Sequence, residues 1–244
     1  DPNMATPLLN ADIATMAADA VGEDVDIMRE PVQFPGLAPS FVIGNGDFNP
    51  TNCPYNPVTH RLECPVVVRN NGLSITRSYA FFGAADAVQQ AYDALLTVRA
   101  NILADVVGSH TSTNWSATIN RHRDFNVTGL LGTETQRTWN GTGTSSATRS
   151  RHSDEGAERS YDIDCTMIAA NVVVPVPNGA DRFPISGTVT RHCTITFSGG
   201  PRDGQTVERT AVLTFNGTET ASMTVGDRTF DVNLRDRHRG PGRP

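Results

Sequence analysis

Lysine is absent from the 244-residue chain: all 20 basic residues are arginine. That removes Schiff-base catalysis and the P-loop, both of which need a lysine amine. The commonest cause is a GC-rich coding sequence, which points to a bacterial source. Long apolar runs are missing too, and none approaches the ~18–20 residues of a membrane-spanning helix. The chain contains no G-x-S-x-G nucleophile elbow and no H-E-x-x-H zinc signature. A uniformly basic face for nucleic acid is also lacking, since 26 acids outweigh the arginines and the formal charge is −6. No nucleic-acid partner, cofactor, metal or transmembrane segment is expected. The chain begins Asp1-Pro2-Asn3, with neither an initiator Met nor an apolar leader. That suits a mature chain whose signal peptide has been removed, or a trimmed one.

The charges present are unevenly placed. Asp1, Asp12, Asp19, Glu23, Asp24, Asp26 and Glu30 oppose only Arg29 in the first thirty residues, while the closing RDRHRGPGRP is basic. Leu9, Ile13, Met16, Ala17, Ala20, Val21 and Met28 recur at helical spacing, predicting an amphipathic helix over residues 7–29 that starts at Pro7 and ends before Pro31. The following EPVQFPGLAPSFVIG, with Pro31, Pro35 and Pro39, reads as extended chain. The expected organisation is a helical arm and Pro-rich linker over residues 1–40, a β domain over 41–235 and a basic tail over 236–244.

Alternation of period two dominates the rest and marks half-buried antiparallel strands. Tyr161, Ile163, Cys165, Met167, Ala169 and Val173 fall on one side of residues 160–174, and Phe183, Ile185, Val189, Cys193, Ile195 and Phe197 on one side of 183–198. The turn signal Asn178-Gly179 lies between them. Centring the hairpin there makes Tyr161 face Phe197, Ile163 face Ile195 and Cys165 face Cys193, so a cross-strand Cys165–Cys193 disulfide is predicted. Cys53 and Cys64 flank a second tight loop and are expected to pair as well. Four cysteines allow three connectivities. Zinc is the rival reading, but neither pair has C-x₂₋₄-C spacing. Disulfides place a protein outside the cytosol.

Alternating signals also run through Leu73–Phe81, Trp115–Val127 and Val207–Phe215, with a last hairpin turning at Gly226-Asp227. The fold class expected is all-β: an antiparallel meander forming a curved sheet, sandwich or partly open barrel. Residues 84–106 fit either a helix or a strand; a short helix or loop over 84–94, then a strand from Leu96, is the preferred reading.

Three segments, GLLGTETQRTWNGTG (129–143), ERSYDI (158–163) and RHCTITFSGGPRDG (191–204), resemble an uncharacterised family of secreted or lipid-anchored bacterial β-rich proteins. Members often begin at a lipid-modified cysteine, which Asp1 is not. The resemblance implies the fold and the compartment and no activity.

RHSDE (151–155) supplies the residue types of a hydrolytic site, but consecutive residues are not brought together by a fold. On a strand or turn His152 and Asp154 share a side while Ser153 faces away, so a solvated hairpin loop is expected. His122 and His192 sit on polar strand faces, with Asp124 and Asp164 as same-face candidates for a metal, and are expected to be exposed. GDFNPTN (46–52) is weakly like a calcium loop through Asp47, Asn49 and Thr51, without the glycine and distal glutamate of an EF-hand; a turn is expected. The sequons at Asn114, Asn126, Asn140 and Asn216 matter only in a glycosylating host.

Arg77, Arg121, Arg123, Arg191 and Arg209 all fall on the apolar side of their strands. A buried guanidinium needs a carboxylate, water or a ligand. They mark strand ends open to solvent, or charges that deter mispairing, or an arginine-lined concave face for an anionic ligand such as a lipid headgroup or acidic glycan. The function expected is a secreted, non-enzymatic structural protein. Copies of it would associate through the arm, using Leu9, Ile13, Met16, Val21, Phe34 and Phe41, in a contact that can propagate as a filament aided by strand addition. The alternative is a periplasmic or cell-surface carrier with its ligand in the sheet's concavity. A fold-back of the arm as a plug on its own sheet is the arrangement that would oppose the first.

Overall fold

The computed structural model describes residues 2–29, 53–68, 72–111, 115–151, 159–176, 183–198 and 203–235, with the helix side chains described only in part. Phe34, Phe41, GDFNPTN, Asn114, His152–Glu155, Asn178-Gly179, the tail 236–244 and the side chain of Leu9 lie outside the described residues.

One α-helix, α1 (Pro2–Arg29), precedes thirteen strands among the described residues. These are β1 (Tyr55–Asn56), β2 (Arg61–Glu63), β3 (Val67–Val68), β4 (Leu73–Phe82), β5 (Val88–Gln89), β6 (Arg99–Thr111), β7 (Trp115–Thr128), β8 (Gln136–Arg151), β9 (Arg159–Pro175), β10 (Ser186–Ser198), β11 (Thr206–Thr214), β12 (Thr220–Val225) and β13 (Arg228–Asn233). From β6 onwards each strand pairs with the next in sequence, always antiparallel, which is the expected meander. At the other end β4 carries β6 on one edge and β2, β3 and β5 on the other. The sheet is curved and not closed: among the described residues it ends at β1 and β13.

The hairpin of β9 and β10 has the register the alternation predicted, with Tyr161 opposite Phe197, Ile163 opposite Ile195 and Cys165 opposite Cys193. Both disulfides are formed, Cys53–Cys64 and Cys165–Cys193.

The alternation fails at one place, for a local reason. Between Ala170↔Thr188 and Val173↔Ser186, β9 spends two residues against the single Gly187. Between Ala169↔Gly141 and Val172↔Trp139 it again spends two against one on its other neighbour. One extra residue in β9 is therefore a bulge felt on both edges, and it reverses the side-chain order beyond it. Val172 and Val174 are buried in place of the predicted Val173, and Ile185 on the partner strand is exposed. Asn171 takes the left-handed backbone this requires, at φ 49°, and its N–H donates to Asn140 Oδ1 at 2.8 Å. Gly187 is at φ +98°, and a Cβ there would sit 2.3 Å from Asn171 O.

Two element boundaries are corrected. Residues 84–94 are the expected short helix or loop, a 3-10 turn (Ala84–Asp86) followed by the short β5, but the strand after them, β6, begins at Arg99 and not at Leu96, leaving Leu96 and Val98 exposed. Helix α1 begins at Pro2, five residues earlier than predicted, so Pro7 lies in its second turn.

The main core cluster lies on the concave face of the sheet with α1 inside it, and a smaller second cluster joins Leu73, Ile75, Val106 and Ile119. Ile13, Ala14, Ala17, Val21, Val25, Ile27 and Met28 of the helix join Phe81, Phe125, Trp139, Tyr161, Ile195, Leu213, Met223 and Phe230 of the strands. Helix α1 packs against β11, β12 and β13. Burying one Val, Ile or Met side chain stabilises by roughly 1.5–3 kcal/mol, so the helix is a major contributor to the fold. The arm thus takes up the plug arrangement on its own sheet.

The Cys165–Cys193 bond closes a sequence separation of 28, for which chain-entropy arguments give about 3–4 kcal/mol. Replacing both cysteines with alanine is expected to lower the unfolding free energy by about that amount in urea titrations, with the β9–β10 register retained.

Candidate functional site

The five inward arginines of the sequence occupy two adjacent rows across the sheet. One row runs through directly opposed residues Arg77, Ala104, Arg123, Gly143, Met167, Arg191 and Ala211. The next runs through Arg121, Ser145, Cys165, Cys193 and Arg209. Arg77, Arg121, Arg123 and Arg191 are buried, and Arg209 is half-buried. The parity reading therefore placed all five side chains correctly, and the structure adds that they form one field.

Helix α1 supplies what this field needs. Asp24, fully buried, divides its carboxylate between two strands: Arg123 Nε donates to Oδ1 at 2.5 Å and Arg191 Nη1 donates to Oδ2 at 3.2 Å. Buried Asn10, near the other end of the helix, accepts from Arg209 Nε at 3.2 Å. The remaining donors are spread over the sheet. Arg123 Nη1 reaches the carbonyls of His122 and Thr144 at 2.8 and 2.9 Å, and Arg191 Nη2 reaches Ser145 Oγ at 2.9 Å. Arg123 Nη2 is buried and makes no hydrogen bond among the described residues.

Opposed residues on neighbouring strands are about 4.8 Å apart, so the backbones of Arg123 and Arg191, three strands apart, are separated by about 14 Å along the sheet. Both guanidinium groups nevertheless meet one carboxylate, because the sheet curls and both side chains are long. Small residues make the room. A Cβ on Gly143 would lie 2.7 Å from Arg123 Cδ and 2.9 Å from its Nη1, and one on Gly141 would lie 2.7 Å from the Phe125 ring. That ring meets Trp139 edge to face, with centroids 6.0 Å apart.

Arg77 lies at the far end of the first row, where it hydrogen bonds to Tyr79. Burial pushes the Tyr79 phenol up to about 12, and the Arg77 charge opposes this only in part. Burial also holds the Arg77 guanidinium below its ordinary value.

Convex-face candidates are dispersed. His122 pairs through Nδ1 with Asp105 Oδ1 at 2.8 Å rather than with Asp124, whose Oδ1 accepts from Asn101 Nδ2 at 2.5 Å. His192 Nδ1 lies 2.9 Å from Thr210 Oγ1. Both histidines are exposed, as expected. A shallow polar cleft of about 690 Å³ runs over β7–β11 past Asn120, Ser146, Asp164, His192 and Glu208. Among the described residues no three His, Cys, Asp or Glu side chains are grouped to hold a metal ion.

No family model, curated protein or solved structure matches this chain. The chemistry of the site rests on its own residues: the concave face holds helix α1 by the apolar stripe of the helix and by the Asp24 carboxylate. Sequence reasoning missed Asp24, which was counted with the acidic head. Its signal was present, since Asp24 stands three residues after Val21 and four before Met28, on the apolar stripe itself.

Two outcomes follow from this geometry. Asp24→Ala leaves two guanidinium groups buried beside an empty seat, and is expected to cost about 3–5 kcal/mol in urea unfolding, more than a truncation of that size on a solvated helix face. Gly143→Ala, normally harmless in a strand, is expected to destabilise by about 1–3 kcal/mol by displacing Arg123. A third outcome concerns alkali. Tyr79 holds its proton in the folded chain to a higher pH than in the unfolded chain, so its contribution is complete below about pH 10 and is lost as pH rises from 10 towards 12. Absorbance titration should show one tyrosine ionising near pH 12, with stability falling over the same interval.

Proposed function

We propose that this chain is a secreted bacterial structural protein, without enzymatic activity, whose subunits associate by lodging helix α1 of one copy in the concave face of another. The observation that carries this reading is the combination of a core helix with a long connection. Most of the described side chains of helix α1 are buried and the helix is keyed by Asp24, yet residues 30–52 separate it from Cys53. Twenty-three residues can span at most about 80 Å, ample for the helix to seat in its own sheet or in a neighbour's. Exchange of an identical element needs no new surface, because every contact made within one chain is remade between two. Reciprocal exchange gives a dimer, and exchange passed from copy to copy gives a filament. The open sheet ends at β1 and β13 favour further growth by strand addition, since an edge strand presents unpaired backbone groups.

An extracellular setting is part of the proposal. Two disulfides and no free cysteine suit an oxidising compartment. No described helix is long and apolar enough to cross a membrane.

The test is the size of the purified chain by light scattering and electron microscopy. Dimers or fibres are expected, and deleting residues 33–42, which shortens the connection from 23 to 13 residues, should raise the assembled fraction. A chain that stays monomeric at its highest soluble concentration, with either length of connection, would sink the proposal.

A further inference from the structure

We propose that the concave face beneath α1 is a binding site for an amphiphile with a phosphate head and a single aliphatic chain, for which the helix is the resident stand-in. The helix presents the chemistry of such a molecule in order: an apolar body made by Ile13, Ala17, Val21, Val25 and Met28, and one buried anion, Asp24. The seat for the body is the aliphatic and aromatic concave face, and the seat for the anion is the guanidinium pair of Arg123 and Arg191.

The head follows from counting oxygens. A carboxylate has two, and Asp24 gives one to each arginine, so Arg123 does not receive from it the two parallel bonds that a guanidinium fork accommodates. Arg123 Nη2, beside the Nε that Asp24 occupies, is buried and makes no hydrogen bond among the described residues. A phosphate monoester carries three terminal oxygens. Two can meet Nε and Nη2 of Arg123 while the third meets Nη1 of Arg191. A free phosphate has the same oxygens but cannot cover the apolar face that a departing helix exposes, so the aliphatic chain is required.

This inference needs α1 to leave its seat but does not need it to enter another copy, and it stands or falls apart from the exchange proposed above. The probe is dodecyl phosphate, titrated below its micellar concentration into the full chain by calorimetry, with dodecanol, dodecanoate and inorganic phosphate alongside. Saturable binding at one site is expected for dodecyl phosphate, at least tenfold weaker binding for dodecanoate, and none for inorganic phosphate. Weakening the helix's hold should tighten the probe. Asp24→Asn removes the competing charge, and Val25→Ala trims the apolar contact while leaving both arginines in place; each is expected to bind several-fold more tightly. Arg191→Gln should abolish the preference for dodecyl phosphate over dodecanol. Circular dichroism establishes that each variant is folded, and Val25→Ala carries the test if Asp24→Asn is not. Equal binding of phosphate and alcohol, binding of inorganic phosphate alone, or no tightening in the folded helix variants would each overturn the inference. A monomer that binds dodecyl phosphate would uphold it while the exchange reading failed.

Discussion

A carboxylate shared by two buried guanidinium groups joins three parts of this molecule that are far apart in sequence. Asp24 is 99 residues from Arg123 and 167 from Arg191. Such a triad is a weak source of net stability, because removing three charges from water offsets most of their attraction, and apolar residues of similar volume often do as well. Its contribution here is position. The buried surface of α1 is rich in alanine, at Ala14, Ala17 and Ala20, and a smooth apolar stripe fits nearly as well after sliding by one turn. Asp24 does not, since a shift of 5.4 Å would strand it and both arginines in an apolar setting. Asn10, bonded to Arg209, fixes the other end in the same way.

The row that carries the triad shows how a curved sheet accommodates it. Ala104 stands between Arg77 and Arg123, Gly143 and Met167 between Arg123 and Arg191, and Ala211 beyond, so each of these arginines has a residue with little or no side chain directly opposite it on at least one neighbouring strand. The bulge at Asn171 lies at one end of the same sheet region and adds local twist, which helps the sheet wrap the helix without closing. What looks in sequence like a Gly-Thr-Gly-Thr stretch of low information is therefore a packing surface. Gly141 and Gly143 are inward residues, and Thr142 and Thr144 lie on the solvated face.

Much of this was legible, and the limits have identifiable causes. Period-two alternation was sufficient for the strands, for the β9–β10 register and for all five arginines, because a strand fixes side-chain direction from residue to residue. It failed at Val173 and Ile185, where one inserted residue reversed the order and no composition cue marks Asn171 as the place. The strand over residues 99–111 was ambiguous with a helix because alanine and valine suit both. The larger omission was a pairing between elements. Five inward arginines posed a definite question, and the answer was an aspartate on an apolar helical stripe some hundred residues away. Net charge hid it, since a segment with seven acids reads as a solvated face when its charges are summed, and only the phase of each acid within the helix distinguishes Asp24 from the others.

That pairing also governs what the helix can do. An amphipathic helix resting on an apolar sheet can leave at the cost of exposed hydrocarbon alone. Helix α1 cannot, because its departure also leaves Arg123 and Arg191 without their shared anion in a face built to exclude water. The vacated seat therefore demands an occupant that is apolar along its length and negative at one point. Few molecules meet that description, and the same helix from another copy of the chain is one of them. An anionic amphiphile is another. The constraint that locates α1 in the folded chain is thus the same constraint that selects what replaces it, and the two proposals for this protein differ in which occupant takes the seat.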